Sequence, residues 1–218
     1  MKENNWFDPF YIQSHLSEEE SNIQKNVRDF CNNELKPTVV ERNRKNEFDQ
    51  SLYPKFGSLG VLGQTVKTHG GSGTSNLAYG LVAYEFEKID SSYRSSISVQ
   101  SSLVIHPINE FGSQEQKDKY LPQLIKGEKI GCFGLTESEA GSDPASMKTS
   151  FKQTKDGYIL NGSKNWITNA PIADIFIIWA IEENKDHKSI KGFIIEKIKK
   201  ENLFAINLNS NQKILLFI

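Results

Sequence analysis

Tyr120-Leu121-Pro122-Gln123-Leu124-Ile125-Lys126-Gly127-Glu128-Lys129-Ile130-Gly131-Cys132-Phe133-Gly134-Leu135 decides the fold class, because the spacing of apolar residues changes inside it. Up to Ile125 the apolar positions keep helical spacing, and Gly127 closes the run. From Lys129 onward short segments rich in β-branched and aromatic residues take over. The junction therefore falls at Lys126-Gly127-Glu128, with a helical unit over residues 1–129 and a β unit over residues 130–218.

Toward the N-terminus the helical signals repeat. Ser17-Glu18-Glu19-Glu20 is a capping box, and Ile23, Val27, Phe30 and Leu35 follow until Pro37, which predicts a helix over 17–35. Leu52, Phe56 and Leu59 predict a second helix ended by Gly60. After the loop His69-Gly70-Gly71-Ser72-Gly73-Thr74-Ser75, Thr74 or Ser75 caps a third helix through Leu77, Leu81, Tyr84 and Ile89. Ser113-Gln114-Glu115-Gln116 is another capping box and opens the helix that ends at Gly127. Four or five helices thus occupy the first unit.

Toward the C-terminus, strands are expected at Lys129 to Leu135, Met147 to Lys152, Tyr158 to Leu160, Asp174 to Ile181 and Gly192 to Ile195. Turn signals at Asp156-Gly157, Asn161-Gly162 and Asn184-Lys185-Asp186 separate them. An antiparallel sheet or barrel is the economical arrangement, so the fold class is α+β.

Composition narrows the function. With 218 residues, 37% hydrophobic and 24% charged, the chain is long enough to bury a sizeable core. The net charge is -1 and the cations are interspersed with acids, which gives nucleic acid no basic stripe to bind. Cys31 and Cys132 match no metal spacing and read as buried thiols in a reducing compartment. No apolar run approaches the roughly 20 residues that span a bilayer, and Met1 to Asn5 lacks a secretory pattern, so a cytoplasmic protein is expected. No metal site is expected.

Two islands carry the chemistry: Gly131-Cys132-Phe133-Gly134-Leu135-Thr136-Glu137 running on to Ala140-Gly141-Ser142-Asp143-Pro144, and Asn165-Trp166-Ile167-Thr168-Asn169. Small, hydroxylated and aromatic residues bounded by β-like sequence suit a flat, polar-edged ring held beside backbone. The string Gly134 to Ser146, with Trp166-Ile167-Thr168 downstream, resembles the signature of the acyl-CoA dehydrogenase family in residues and in spacing. Tyr120 to Leu124 and Tyr158-Ile159-Leu160-Asn161-Gly162-Ser163-Lys164 resemble its flanks, and the likeness runs from about Trp6 to Glu196. Tyr93-Arg94-Ser95-Ser96-Ile97-Ser98 through His106-Pro107 is most similar to the glutaryl-CoA dehydrogenase branch, which oxidises glutaryl-CoA and decarboxylates the product to crotonyl-CoA.

The resemblance implies FAD as cofactor, with Phe133, Gly134, Leu135 and Thr136 at the flavin N1 and O2 edge, where donors stabilise reduced flavin. It implies close backbone approach at Gly141, contact of Ser142 with the pyrophosphate and acyl-CoA, and Trp166, Ile167 and Thr168 beside the ring and N5. Glu87, Arg94, Ser95 and Ser98 are implied at the far end of the substrate pocket. Arg94 is the only Asp, Glu, Lys or Arg between Asp90 and Glu110, in a Ser-rich stretch that otherwise reads as buried helix. A buried guanidinium needs an anion. A dicarboxylate's free carboxylate would answer it bidentately, and so would an internal ion pair with Glu87 or Asp90.

Acyl-CoA, an electron-transfer flavoprotein and further copies of the chain are the partners the resemblance implies, in the cytoplasm or, for a processed eukaryotic chain, the mitochondrial matrix. The family's glutamate base lies in a C-terminal helical domain that this sequence does not reach, and residues 198–218 do not resemble the closing strands. The expectation is a shortened form, inactive alone, with no catalytic residue to name; Glu137 has a structural role in the family. The competing reading is a non-catalytic two-domain protein that binds acyl-CoA, flavin or a partner chain. Gly71-Ser72-Gly73-Thr74-Ser75-Asn76 lacks the third glycine of a dinucleotide fingerprint and reads as a loop. His15, His69, His106 and His187 are scattered and read as packing or surface residues without partners.

Overall fold

A computed structural model describes residues 8, 10–155, 157–197 and, as backbone, 213–217. Helix α1 (Glu18–Phe30) starts at the predicted box: Ser17 Oγ accepts from Glu20 N at 3.2 Å, and Glu20 Oε2 accepts from Ser17 N at 3.0 Å. It runs on as a π-helical stretch, Cys31–Leu35, so the helical run over 17–35 is continuous. A further helix, α2 (Val39–Lys45), follows Pro37, where the sequence suggested only a stop. Helix α3 (Leu52–Ser58) gives way at Gly60, whose φ of 76° suits glycine.

Ser75 caps α4 (Asn76–Glu87), its hydroxyl accepting from Ala78 N at 3.0 Å. Asp90 caps α5 (Ser91–Ser98), which passes through a π-helical stretch, Val99–Ile105, into α6 (His106–Phe111). The second predicted capping box, Ser113 with Gln116, opens α7 (Gln114–Ile125).

Strands β1 (Gly131–Gly134), β2 (Ser150–Thr154), β3 (Gly157–Asn161), β4 (Ile175–Glu182) and β5 (Lys191–Glu196) fall on the expected segments. Their pairing is mixed rather than antiparallel throughout. β2 with β3 and β4 with β5 are antiparallel, but β1 and β2 both run parallel to β4. The connection from β1 to β4 is long, and long connections permit parallel pairing where a tight turn cannot. The backbone of residues 213–217 adds β6 (Lys213–Phe217) antiparallel to β3, so part of the tail that the sequence left outside the sheet pairs with it. Residues 198–212 and 218 lie outside the described residues.

Strand β4 explains how the two units join. Ile175 and Ile177 point into the core formed by the helices, while Phe176, Ile178 and Ala180 point into a second core with Cys132, Phe151, Leu160, Phe193 and Ile195. This period-2 alternation between two apolar layers makes β4 read as a near-continuous hydrophobic run. β1 lies on the π-helical stretch at Gly131, where a Cβ would stand 2.5 Å from Val104 Cγ1. Among the described residues no helix is long and apolar enough to cross a membrane, and no His, Cys, Asp and Glu cluster suits a metal ion.

Candidate functional site

The two islands meet at a buried ion pair. Lys164 Nζ lies 2.7 Å from Glu137 Oε1, and the two side chains are 2% and 8% exposed. Lys164 also donates to the Leu135 carbonyl at 2.9 Å, and Glu137 accepts the peptide N–H groups of Lys148 at 2.7 Å and Thr149 at 3.0 Å. Burial works against both charges. For Glu137 the Lys164 ammonium and the Thr149 and Lys148 donors outweigh it and hold the carboxyl below its ordinary range. For Lys164 burial prevails over the pull of Glu137 and the ammonium sits below its ordinary value. Besides each other, Glu137 has two peptide N–H donors, whereas Lys164 has one carbonyl and the weakly accepting Met147 Sδ at 4.0 Å. Glu137 is thus bound up in structure and is not presented to a substrate as a base.

With Lys164 fixed, the next residue ties the islands directly: Asn165 N donates to Thr136 O at 2.9 Å. Leu135, Thr136, Ile167 and Thr168 are half-buried, and Gly141 and Ser142 are exposed. Trp166 is 93% exposed and takes a left-handed φ of 60°. A large side chain in that conformation is unusual, and here it turns the indole away from both cores. Among the described residues the hydroxyls of Thr136, Ser142 and Thr168 have no hydrogen-bond partner, and a Cβ built on Gly141 would meet nothing within 4 Å.

Other residues of the islands are engaged in packing. Phe133 meets Trp179 edge-on at 6.0 Å, Ile167 packs on the second core, and Gly134 is buried so tightly that a Cβ would stand 2.5 Å from Ile178 Cδ1. Cys31 and Cys132 are free and buried, and burial pushes both thiols up to about 12.

Arg94 differs from its sequence expectation. Its side chain is 38% exposed on the rim of α5, and Nε pairs with Glu87 Oε2 at 2.7 Å. The buried face of α5 is Tyr93, Ser96 and Ile97, while Ser91, Ser92, Ser95 and Ser98 share the open or half-open side with Arg94. The ion pair with Glu87 is the internal partner anticipated as one alternative; Ser91 Oγ also donates to Glu87. Ser95 and Ser98 are half-buried, and Ser98 Oγ donates back to the Ser95 carbonyl at 3.1 Å.

Three residues of the arrangement carried no role in the sequence. Lys164 is separated from Glu137 by 27 positions, and the sequence marked it only as the end of the flanking segment Tyr158 to Lys164. Asn169 reaches across to Ser96 and Gly131. Gln100 donates to the Leu124 and Lys129 carbonyls and accepts from Gly131 N at 2.7 Å, holding the start of β1 on the helices. His69 corrects the expectation of partnerless histidines: its Nε2 lies 2.9 Å from Asp118 Oδ1 and its Nδ1 2.8 Å from Thr68 Oγ1. Elsewhere, a cavity of about 240 Å³ opens between Gln64, Tyr79, Ser102 and His106 in the helical unit, lined by none of the island residues.

Residues 17–128 match the family profile "Acyl-CoA dehydrogenase, N-terminal domain", and residues 132–209 match "Acyl-CoA dehydrogenase, middle domain". A short-chain-specific acyl-CoA dehydrogenase of Clostridium acetobutylicum is 40% identical over 185 residues, which is 84% of this chain and 49% of that protein. The mitochondrial isovaleryl-CoA dehydrogenase of Pongo abelii is 39% identical over 188 residues, 84% of this chain and 44% of that one. The crystal structure of a glutaryl-CoA dehydrogenase from Mycobacterium smegmatis in complex with FADH2 is similar with a TM-score of 0.82 and 41% identity, covering 86% of this chain and 47% of that one. The chain spans about half the length of the curated relatives it matches.

Proposed function

Because this chain belongs to the acyl-CoA dehydrogenase family, we propose that it takes part in FAD-dependent α,β-dehydrogenation of an acyl-CoA of the glutaryl type, with decarboxylation to crotonyl-CoA. One observation carries the flavin part: the buried pair Lys164 with Glu137 and the bond from Asn165 N to Thr136 O join two segments that hold unpartnered hydroxyls at Thr136, Ser142 and Thr168 and an exposed indole at Trp166. Donors without protein partners beside an exposed ring fit a cofactor with a polar edge and an aromatic face.

When bound, FAD supplies the acceptor for the β-hydride. Thr136 and the backbone of Phe133 to Thr136 would serve the N1 and O2 edge of the bound flavin, Trp166, Ile167 and Thr168 would hold the ring and its N5 side, and Ser142 would meet the pyrophosphate and acyl-CoA beside Gly141. The Lys164 to Glu137 pair keeps Leu135 and Thr136 in register, so donors are in place before the ligand arrives. No residue of this chain is assigned as the base that removes the α-proton.

Arg94 supports the glutaryl reading. Glu87 holds Nε, which leaves the Nη edge as the part of the guanidinium that a substrate carboxylate would meet, with Ser95 next to it in the chain and Ser98 one turn on. The junction of the two units belongs between residues 129 and 130. Electron-transfer flavoprotein and further copies of the chain are the proposed partners, in the cytoplasm or the mitochondrial matrix.

Pairing of β6 with β3 favours a second reading, a non-catalytic protein that binds flavin, acyl-CoA or a partner chain, because it continues the sheet with the chain's own strand. Purified chain supplied with FAD, glutaryl-CoA and an artificial electron acceptor separates the two. Turnover supports the enzyme and overturns the expectation that the chain is inactive alone, flavin retention without turnover supports a flavin-binding role, and absence of saturable FAD binding overturns the flavin site in both readings.

A further inference from the structure

We propose that Asn169 is a positioning residue: through Ser96 it fixes the flavin-facing turn Trp166 to Thr168 against the acyl-facing turn of α5, so that binding at either place strengthens binding at the other. The inference rests on the flavin and acyl assignments above and adds a coupling between them.

Asn169 directly follows the Trp166 to Thr168 turn and takes a left-handed φ of 69°. Asparagine tolerates that conformation better than most residues. Its Oδ1 accepts from Ser96 Oγ at 3.0 Å, and its Nδ2 donates to the Ser96 carbonyl at 3.3 Å and the Gly131 carbonyl at 3.2 Å. Both donors and the acceptor of one carboxamide are therefore used, on α5 and β1 together. Glycine would keep the backbone angle and lose all three bonds.

Ser96 is 2% exposed, and its hydroxyl also meets the buried Tyr53 hydroxyl at 2.7 Å. It lies between Arg94 and Ser98, just before α5 changes to π-helical register at Val99. Such register changes in helices are frequent at functional sites. The path from acyl-facing to flavin-facing residues is thus two hydrogen-bonded side chains long, in a part-buried network anchored on the buried Tyr53 to Ser96 bond. Coupling between linked sites is reciprocal and commonly amounts to roughly 5- to 150-fold in affinity.

The test is FAD titration of the full chain with and without glutaryl-CoA, for the wild type, Asn169→Gly and Ser96→Ala. The ratio of the two FAD affinities is the quantity of interest. It should exceed about 5 in the wild type and fall toward 1 in either variant. An unchanged ratio, with FAD affinity lowered equally in both conditions, would assign Asn169 a merely structural role and overturn the proposal. So would a wild-type ratio of 1. If the wild type binds no FAD, the flavin reading itself fails. Amide hydrogen exchange then still judges the connection: Asn169→Gly and Ser96→Ala must each speed exchange both at 166–168 and at 94–98, and acceleration at one segment alone overturns it. Ser96→Ala keeps the test usable if Asn169→Gly does not fold.

Discussion

Lys164 Nζ stands 2.7 Å from Glu137 Oε1 beneath the surface where the two islands meet, and neither side chain is more than 8% exposed. An ion pair so placed contributes mainly by fixing geometry, since the desolvation of two charges offsets much of their attraction. Removing one partner is a different matter, because it strands the other.

Glu137→Gln should destabilise the chain by about 3–5 kcal/mol, the usual cost of leaving a buried charge unpaired, measured by urea unfolding. Glu137→Gln combined with Lys164→Met should recover most of that loss.

The acid limb of stability follows from the same pair. The folded Glu137 carboxyl lies below its ordinary value of 4.5, so its contribution is fully present above that pH and is lost as pH falls through the depressed folded value. Stability of the wild type should decline below about pH 4.5 more steeply than that of the double variant, as followed by circular dichroism across a pH series.

Trp166 contributes no packing to the isolated fold while holding a left-handed backbone that disfavours side chains by roughly 1–2 kcal/mol. Trp166→Gly should therefore leave stability unchanged or raise it by up to about 1 kcal/mol while weakening FAD binding. Thermal melts and a FAD titration on the same sample check both halves.

Arg94→Gln should leave the melting temperature unchanged, because the pair with Glu87 is exposed and screened. The affinity for glutaryl-CoA should fall relative to butyryl-CoA, measured by competition at equal concentrations. Equal loss for the two ligands would remove Arg94 from dicarboxylate recognition.

Gly131→Ala should cost about 1–3 kcal/mol, since the new Cβ would stand 2.5 Å from Val104 Cγ1 on a stiff β-branched side chain. Chemical unfolding measures it, and a neutral result would mean that β1 does not lie against the π-helical stretch as described.

What was legible in the sequence was local. Ser17 with Glu20 and Ser113 with Gln116 are four-residue signals, and both boxes form with the predicted hydrogen bonds. The islands were legible because each compresses its features into a few residues. What was hidden depends on contacts between distant segments: the parallel pairing of β1 with β4, the Lys164 partner of Glu137, and the reach of Asn169 to Ser96. Arg94 was misplaced in depth because serine is compatible with either face of a helix, so Ser91 to Ser98 has a weak apolar pattern and gave no warning that Arg94 lies on the rim.

The flavin-facing role proposed for the joined islands can be read from indole and amide NMR shifts of the chain during FAD titration, with the Trp166 indole assigned from Trp166→Phe. Saturable shifts are expected at the Trp166 indole and at the amides of Leu135, Thr136 and Thr168. Absence of saturable shifts at these positions, or shifts confined to the cavity between Gln64, Tyr79 and His106, would contradict it.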